Sequence, residues 1–215
     1  MIAILDYGMG NLRSVEKAFE HVGAEARITN DHGAVREAAG IVLPGVGAFP
    51  KAMAAIRDLR LDELMSERIA ARVPTLGICL GMQLLFERSS ELAGAEGLGF
   101  LAGEVGPLSA PGLKIPQIGW NEVSWKRASR LCSGLPDPCA FYHVHSFAPR
   151  PADAGDTLAT AEYGGEFVTA VAREPVHGVQ FHPEKSGPHG LRLLGNFAAI
   201  CGLRAAPSGA SQRAA

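Results

Sequence analysis

The spacing of apolar positions along the first half of the chain predicts strands that alternate with helices. Residues 2–5 (IAIL) form a continuous apolar run, as expected for a buried strand. Asn11 can cap a helix whose apolar residues recur every three or four positions until Gly23. Such alternation favours a parallel sheet covered by helices on both faces. The further elements predicted here are strands at 24–29, 40–44 and 75–79, and helices at 59–71 and 80–86.

The pattern changes after about Gly94, where glycine and proline become frequent and long helical periods disappear. Short strand-like segments follow one another, so we expect antiparallel hairpins that continue the same sheet. The predicted fold class is α/β, with a central mixed, mostly parallel sheet and helices on both faces. The elements predicted here are strands at 121–125, 140–147, 157–163, 166–172 and 176–181, and a closing helix at 191–201.

The length of 215 residues suits one domain with a single large core. We assign this domain to residues 1–202. Residues 203–215 lack apolar periodicity and are rich in small and polar residues, which predicts a disordered tail.

The composition excludes some classes of partner. The chain is 47% hydrophobic and 20% charged with a net charge of −2, so nothing in its charge favours nucleic acid or a membrane. Its first residues lack the basic and apolar regions of a signal peptide, and its most apolar window, 76–86, is too short to span a bilayer. We therefore expect a cytoplasmic protein.

The cysteines are candidates for chemistry. They are widely spaced, and no CxxC or CxxH pair is present, which argues against zinc and, in a reducing compartment, against disulfides. At least one is then available as a reactive thiol. The four are Cys79, Cys132, Cys139 and Cys201.

Cys79 lies in the segment Gly77-Ile78-Cys79-Leu80-Gly81, where a strand-like pattern changes to a helical one. A nucleophile between two glycines at such a junction matches the strand-to-helix elbow of hydrolases. The start of a helix stabilises a thiolate, and the amide of Leu80 can donate to an oxyanion. The alternative, a small buried side chain in a core strand, is not excluded by the elbow alone.

A thiol nucleophile needs a base and a group that orients the base. The segment QFHPEKS offers both, because His182 and Glu184 are two residues apart and leave the same face of an extended chain. Taken alone, His182 could be an ordinary histidine at a strand end. Combined with the elbow, the order Cys79, His182, Glu184 predicts a catalytic triad.

The segment LPGVGAFP (43–50) ends a predicted strand in a glycine-rich turn. Its glycines permit a backbone that offers N–H groups to an anion, although a plain strand-to-helix turn has the same pattern. Other glycine patterns are incomplete, since GMGN does not continue as GxGxxG and no GxxxxGK[ST] motif is present. We expect no nucleotide, metal or other cofactor.

Together, GICLGMQ, FHPEKS and PGVGAF resemble the class I, triad-type glutamine amidotransferases, from residue 1 to about residue 202. Within that family, DYGMGNLRSV, IGWNEV and HVHSF resemble the glutaminase subunits of imidazole glycerol phosphate synthases, which serve histidine biosynthesis. The resemblance implies a flavodoxin-like, three-layer fold. It also implies hydrolysis of L-glutamine to glutamate through a thioester on Cys79, with His182 as the base and Glu184 as its orienting group.

The resemblance also implies how the site holds its substrate. Backbone amides of Val46, Gly47 and Leu80 would form the oxyanion hole, and the Glu91 carboxylate suits the ammonium group of glutamine. His143 and Phe147 depart from the family pattern, in which aromatic residues and tyrosine are usual, so only a backbone role is expected at Phe147. The residues implied in glutamine binding are Gly47, Gln83, Glu91, His145, Ser146 and Phe147.

A partner is implied as well. In the family, ammonia passes through a dry conduit to a (βα)₈-barrel cyclase, HisF. The cyclase converts N′-phosphoribulosyl-formimino-AICAR ribonucleotide to imidazole glycerol phosphate and AICAR. Trp120 would lie at this interface, although a core position for the tryptophan is the alternative. The residues implied at the interface are Asn11, Trp120, Asn121, Tyr142 and Lys185.

Two other functions stay open on the sequence alone. One is a free-standing cysteine hydrolase on the same scaffold, which would be fully active without a partner. The other is a catalytically idle binding subunit, which the presence of Cys79, His182 and Glu184 disfavours.

Overall fold

The computed structural model describes residues 1–203. Helices and strands alternate in its first half, and strands dominate its second half. The helices are α1 (Leu12–His21), α2 (His32–Glu37), α3 (Phe49–Asp58), α4 (Leu61–Ala70), α5 (Leu80–Leu84) and α6 (Gly187–Ile200). The strands are β1 (Ile2–Leu5), β2 (Ala26–Thr29), β3 (Gly40–Gly45), β4 (Thr75–Cys79), β5 (Phe86–Ser89), β6 (Ala95–Glu96), β7 (Leu101–Pro107), β8 (Gln117–Trp125), β9 (Cys139–His145), β10 (Phe147–Pro151), β11 (Thr157–Glu162), β12 (Glu166–Arg173) and β13 (Val176–Val179).

A nine-stranded mixed sheet forms the centre of the protein, in the order β2-β1-β3-β4-β13-β12-β11-β8-β9. The pairings from β2 to β13 are parallel, and those from β13 to β9 are antiparallel. The sheet is therefore mixed, as the sequence predicts, but its four parallel pairings are matched by four antiparallel ones, so the sheet is not mostly parallel. The strands β10, β7, β5 and β6 form a separate second sheet.

The core lies in two layers, one on each face of the central sheet. Alternate residues of β1 show this, because Ile2 and Ile4 belong to one apolar cluster and Ala3 and Leu5 to the other. The first cluster includes residues of α1 and α6, and the second includes residues of α3, α4 and α5. Both faces of β1, β3 and β4 are thus covered, which explains their continuous apolar sequences.

Some helix boundaries differ from the prediction. The helix predicted at 59–71 begins at Leu61, because Arg60 adopts a φ of 52° and separates α3 from α4. Two helices, α2 and α3, were not predicted from the sequence. Helix α2 spans only six residues, which are too few for a helical period to be recognised. Asn11 precedes α1, but its side chain makes no capping hydrogen bond.

The second half contains more strands than predicted. The single strand expected at 140–147 is two strands, β9 and β10, which turn at Ser146 and join different sheets. The strands of the second sheet between 86 and 107 were not predicted, because β5 and β7 have no regular alternation of buried and exposed positions and β6 has only two residues. The closing helix α6 begins four residues before the predicted start.

The first residue of the predicted tail, Leu203, is part of the folded domain. Leu203 donates its backbone N–H to the carbonyl oxygen of Ala198 and packs against the first core cluster. The rest of the predicted tail, 204–215, lies outside the described residues. Within residues 1–203, no helix combines the length and hydropathy needed to cross a bilayer. All four cysteines are free thiols.

Candidate active site

Cys79 occupies the sharp turn between β4 and α5, with a φ of 55° and a ψ of −115°. A positive φ is strained for a residue with a side chain and is what a nucleophile elbow requires. Glycine is needed for the close packing around it. A Cβ on Gly81 would lie 1.7 Å from the carbonyl oxygen of Leu43 in β3, and one on Gly77 would lie 2.7 Å from the carbonyl oxygen of Gly81. The geometry agrees with the elbow predicted from the spacing of these glycines.

The sulfur of Cys79 is buried, with 6% of the residue exposed, and it stands at the amino-terminal end of α5. Its thiol lies 3.7 Å from the carbonyl oxygen of Val144, to which it donates. The side-chain amide of Gln180 donates to the sulfur from 3.7 Å. Unpaired N–H groups at a helix start favour negative charge, so the position suits a thiolate.

His182 and Glu184 form a buried pair. Nδ1 of His182 lies 2.8 Å from Oε1 of Glu184, and their side chains are only 4% and 1% exposed. The backbone N–H of His182 donates to Tyr142, and the Ser186 hydroxyl donates to the carbonyl oxygen of His182. These bonds fix the turn at 183–185 against β9. His182 is therefore held both through its backbone and, by Glu184, through its ring.

The protonation of His182 depends on its two neighbours. Burial by itself lowers the pKa of His182, but the interactions of its ring with the Cys79 sulfur and the Glu184 carboxylate outweigh burial. Together they raise the pKa from the ordinary 6.5 to about 9. The site therefore favours a protonated imidazole near neutral pH.

We expect the ring of His182 to titrate near pH 9 and to do so at lower pH in Cys79→Ala and in Glu184→Gln, because each variant removes one group that raises the pKa. Because the folded pKa is above 6.5, the stability that protonated His182 contributes is full below about pH 6.5 and is lost as the pH rises through about 9. Histidine ring NMR against pH measures the midpoints.

Two buried histidines provide internal controls for that titration. Burial lowers the pKa of His143 to about 3 and that of His145 to about 4, so neither ring should titrate above pH 6. A His182 midpoint near 6.5 that is unchanged in Cys79→Ala would contradict the pairing of imidazole and sulfur.

A pocket of about 260 Å³ opens beside Cys79 and His182. It brings together residues that are far apart in the sequence, from the turn after β3, the end of β4, α5, β9, β10 and the turn after β13. Glu184 stands behind His182 and does not line the pocket. The residues predicted to bind glutamine or its oxyanion that line the pocket are Val46, Gly47, Leu80, Gln83, Glu91, His145, Ser146 and Phe147.

Glu91 and Gln83 are each held by hydrogen bonds that leave an oxygen available. Oε2 of Glu91 accepts from the backbone N–H of Phe49 at 2.7 Å, so the carboxylate is fixed at the start of α3. The amide nitrogen of Gln83 donates to the carbonyl oxygen of Phe147 and to the side chain of Gln180, at 3.1 Å and 3.0 Å. Both side chains line the pocket in orientations set by the protein.

The glycine-rich turn after β3 reaches the same pocket. Val46 is exposed and Gly47 has a φ of 114°, a conformation that favours glycine. A Cβ on Gly47 would lie 2.6 Å from the end of the Met9 side chain. Leu80 follows Cys79 directly, and all three residues predicted for the oxyanion hole line the pocket.

The predicted interface residues differ in exposure. Trp120 is 60% exposed and packs edge-on against Tyr142, its partner in the β8–β9 register. The alternative of a core tryptophan is therefore wrong. Lys185 is exposed and lines the pocket, and Asn11 is exposed in the loop before α1. Asn121 is half-buried and donates its side-chain amide to the carbonyl oxygen of Glu162.

His143 and Phe147, which depart from the family pattern, have different surroundings. The His143 ring is fully buried and contacts the hydroxyl of Thr169 at 2.8 Å. Phe147 offers its carbonyl oxygen to Gln83 and to Nδ1 of His145. The backbone of Phe147 is thus part of the site.

Sequence reasoning missed three residues at the site. Pro116 and Val144 line the pocket with their neighbours in β8 and β9. Gln180 is completely buried beneath it and contacts Cys79 and Gln83. A signal for Gln180 was present, since it is a polar residue in the predicted strand 176–181, two positions before His182.

Comparison with known proteins agrees with this geometry. The sequence model of the family "Glutamine amidotransferase class-I" matches residues 3–201. The chain is 48% identical over 202 residues to the imidazole glycerol phosphate synthase subunit HisH of Bacillus cereus strain G9842, covering 93% of this chain and 95% of that protein. It is also 48% identical over 199 residues to HisH of Rhodopirellula baltica, covering 92% and 97%.

The fold is similar to that of a solved structure of low sequence identity. PurLQS from Thermotoga maritima matches with a TM-score of 0.74 at 17% identity, covering 93% of this chain and 97% of that chain. This likeness supports the three-layer arrangement, and the family model and the HisH relatives support the closer assignment. The chain belongs to the class-I glutamine amidotransferases and, within them, to the family of imidazole glycerol phosphate synthase subunit HisH.

Proposed function

We propose that this protein is the glutaminase subunit of an imidazole glycerol phosphate synthase and hydrolyses L-glutamine to glutamate and ammonia in histidine biosynthesis. The observation that carries the proposal is the buried His182–Glu184 pair beside Cys79 at the elbow, facing a pocket lined by Gln83 and Glu91. The HisH relatives, at 48% identity, support the pathway. Residues 1–202 are the catalytic domain in this proposal, and the cytoplasm is its expected location.

The chemistry begins with attack of the Cys79 sulfur anion on the side-chain carbonyl carbon of glutamine. The carbonyl oxygen gains negative charge, which the backbone amides of Leu80, Val46 and Gly47 stabilise; one such donor typically contributes ~10²–10³-fold to the rate. Glu91 binds the ammonium group of the substrate, and Gln83 with the backbone of 145–147 holds the rest of its amino-acid end.

His182 then moves the protons. The imidazolium donates its proton to the leaving nitrogen as the C–N bond breaks, which releases ammonia and leaves a glutamyl thioester. The neutral ring next takes a proton from water, the water attacks the thioester, and glutamate leaves as the proton returns to the sulfur. Glu184 holds the ring and stabilises its charged form, as the raised pKa of His182 indicates.

The ammonia has to reach a second active site without meeting bulk water. We infer a HisF-type (βα)₈-barrel cyclase as the partner, docked over the pocket mouth. Exposed Trp120 with Tyr142, together with Lys185 and Asn11, would contact it. Asn121, which is bonded to Glu162, would support the strand that presents Trp120.

Glutamate release separates this proposal from a free-standing hydrolase. We expect little glutamate from the protein alone, more with the barrel cyclase, and strong stimulation when the cyclase also carries its nucleotide substrate or product. Full activity alone, unchanged by the cyclase, would favour an independent hydrolase. No glutamate from the ternary mixture, with Cys79 unreactive, would favour an idle binding subunit.

A further inference from the structure

We propose that Gln180 is a catalytic residue of the glutaminase site, whose side-chain amide donates to the Cys79 sulfur and stabilises it as an anion. The inference rests on the proposed function of the same site. Gln180 is completely buried and does not line the pocket. Its side-chain amide contacts the reacting sulfur of Cys79 from beneath the pocket.

Besides its interaction with the His182 ring, the sulfur has two contacts, of which one suits the thiol and the other suits the anion. The carbonyl oxygen of Val144 can only accept, so it binds the S–H form at 3.7 Å. The amide nitrogen of Gln180, also 3.7 Å away, can donate to either form. A hydrogen bond to a charged acceptor is about twice as strong as one to a neutral acceptor. Loss of the proton therefore weakens the Val144 contact and strengthens that of Gln180.

The direction of the Gln180 amide is fixed by a chain of hydrogen bonds that starts at a backbone carbonyl. The Phe147 oxygen can only accept, so the amide nitrogen of Gln83 must face it. The second N–H of Gln83 then points to Gln180 and is 3.0 Å from its oxygen. With its oxygen used in this way, Gln180 has to turn its nitrogen towards Cys79.

The same chain of bonds joins the substrate site to the nucleophile. Gln83 lines the pocket, and both of its N–H groups are occupied, which leaves its own oxygen free for a bound glutamine. Gln180 is tied to β12 by its backbone N–H, which donates to Thr169 at 2.8 Å. Its side chain is therefore a rigid donor rather than one that must reorganise during the reaction.

The test is the pH dependence of Cys79 alkylation by iodoacetamide in the full chain, followed by mass spectrometry of the peptide that contains Cys79. Gln180→Met keeps the size of the side chain and removes the donor. We expect its alkylation midpoint to rise by about one pH unit or more, the shift that corresponds to a hydrogen bond to a charged group. Gln180→Glu, which replaces the donor by a carboxylate, should raise the midpoint further.

Thr169→Val is the matched control, because it also removes a buried polar group next to Gln180 but leaves the sulfur contact in place. Its midpoint should equal that of the unchanged protein. An unchanged midpoint in folded Gln180→Met and Gln180→Glu, or an equal shift in Thr169→Val, would overturn the proposal.

In the assembled synthase, Gln180→Met should lower kcat for glutamine at least about tenfold near neutral pH, with recovery of activity at higher pH. Loss of activity that is the same at every pH would assign Gln180 a structural role only. Because alkylation does not require glutaminase activity, failure of this inference and failure of the proposed function give different results.

Discussion

Replacement of Cys79 by alanine should abolish glutaminase activity in the assembled synthase, a loss of at least ~10⁴-fold. The reason is that no other group in the pocket can form the thioester, and the oxyanion donors and His182 then have no nucleophile to assist. Folding should not suffer, because alanine is smaller and the thiol makes only long contacts, at 3.7 Å. Coupled assays of glutamate release measure the loss.

Two further measurements make that result specific. The Cys79→Ala complex should still form imidazole glycerol phosphate when ammonia is supplied directly, because the cyclase site is separate. Cys132→Ala changes another thiol, which donates to the carbonyl oxygen of Ser129 in its own loop, and it should leave glutaminase activity unaltered. Full glutamine turnover by Cys79→Ala would refute the assignment of the nucleophile.

Replacement of Gly81 by alanine should destabilise the protein by about 3 kcal/mol or more. The added Cβ would lie 1.7 Å from the carbonyl oxygen of Leu43 and 2.7 Å from its carbonyl carbon, so α5 would have to move away from β3. Urea unfolding gives the free energy of unfolding. Any folded fraction should also lose glutaminase activity, because the movement displaces Cys79.

Gly195→Ala is the control for this substitution. Gly195 lies in α6, and a Cβ there meets only Val22, at 3.9 Å. Alanine is favoured over glycine in a helix by about 0.5–1 kcal/mol, so the control should be as stable as the original protein or more so. Equal stability of the two variants would show that the close approach of α5 to β3 is not required.

The parts of the site that the sequence predicts are those whose residues are close together in the chain. The elbow around Cys79 follows from two glycines at a change of period, and the His182–Glu184 pair follows from the spacing of two residues in an extended segment. The structure brings these two segments together because β13 and β4 are neighbouring parallel strands. Because the carboxyl ends of the two strands are adjacent, the two local patterns meet at one place.

The parts that the sequence does not predict depend on contacts across the sheet. Gln180 reaches Cys79 over a separation of 101 positions, and Gln83 reaches Phe147 over 64. The spacing of apolar residues within one helix or strand gives no information about such contacts. The second sheet was missed for a different reason, since β5 and β7 are partly exposed strands with no continuous apolar face.

The exposure of Trp120 could not be predicted from the sequence for a different reason. A tryptophan in a strand is compatible with either a core or a surface position, and only the register of β8 against β9, the edge strand of the central sheet, decides between them. Its 60% exposure and its contact with Tyr142 leave an exposed aromatic surface on β8 and β9. This is the surface on which the proposed docking of the cyclase depends.

The most direct test of the account is to trap the covalent intermediate. The synthase complex, with its nucleotide ligand bound, is mixed with isotope-labelled glutamine, quenched in acid within the first turnover and digested for mass spectrometry. The account predicts a labelled glutamyl thioester on the peptide that contains Cys79. Label on a different residue, or steady glutamate release with no labelled Cys79 at any quench time, would contradict it.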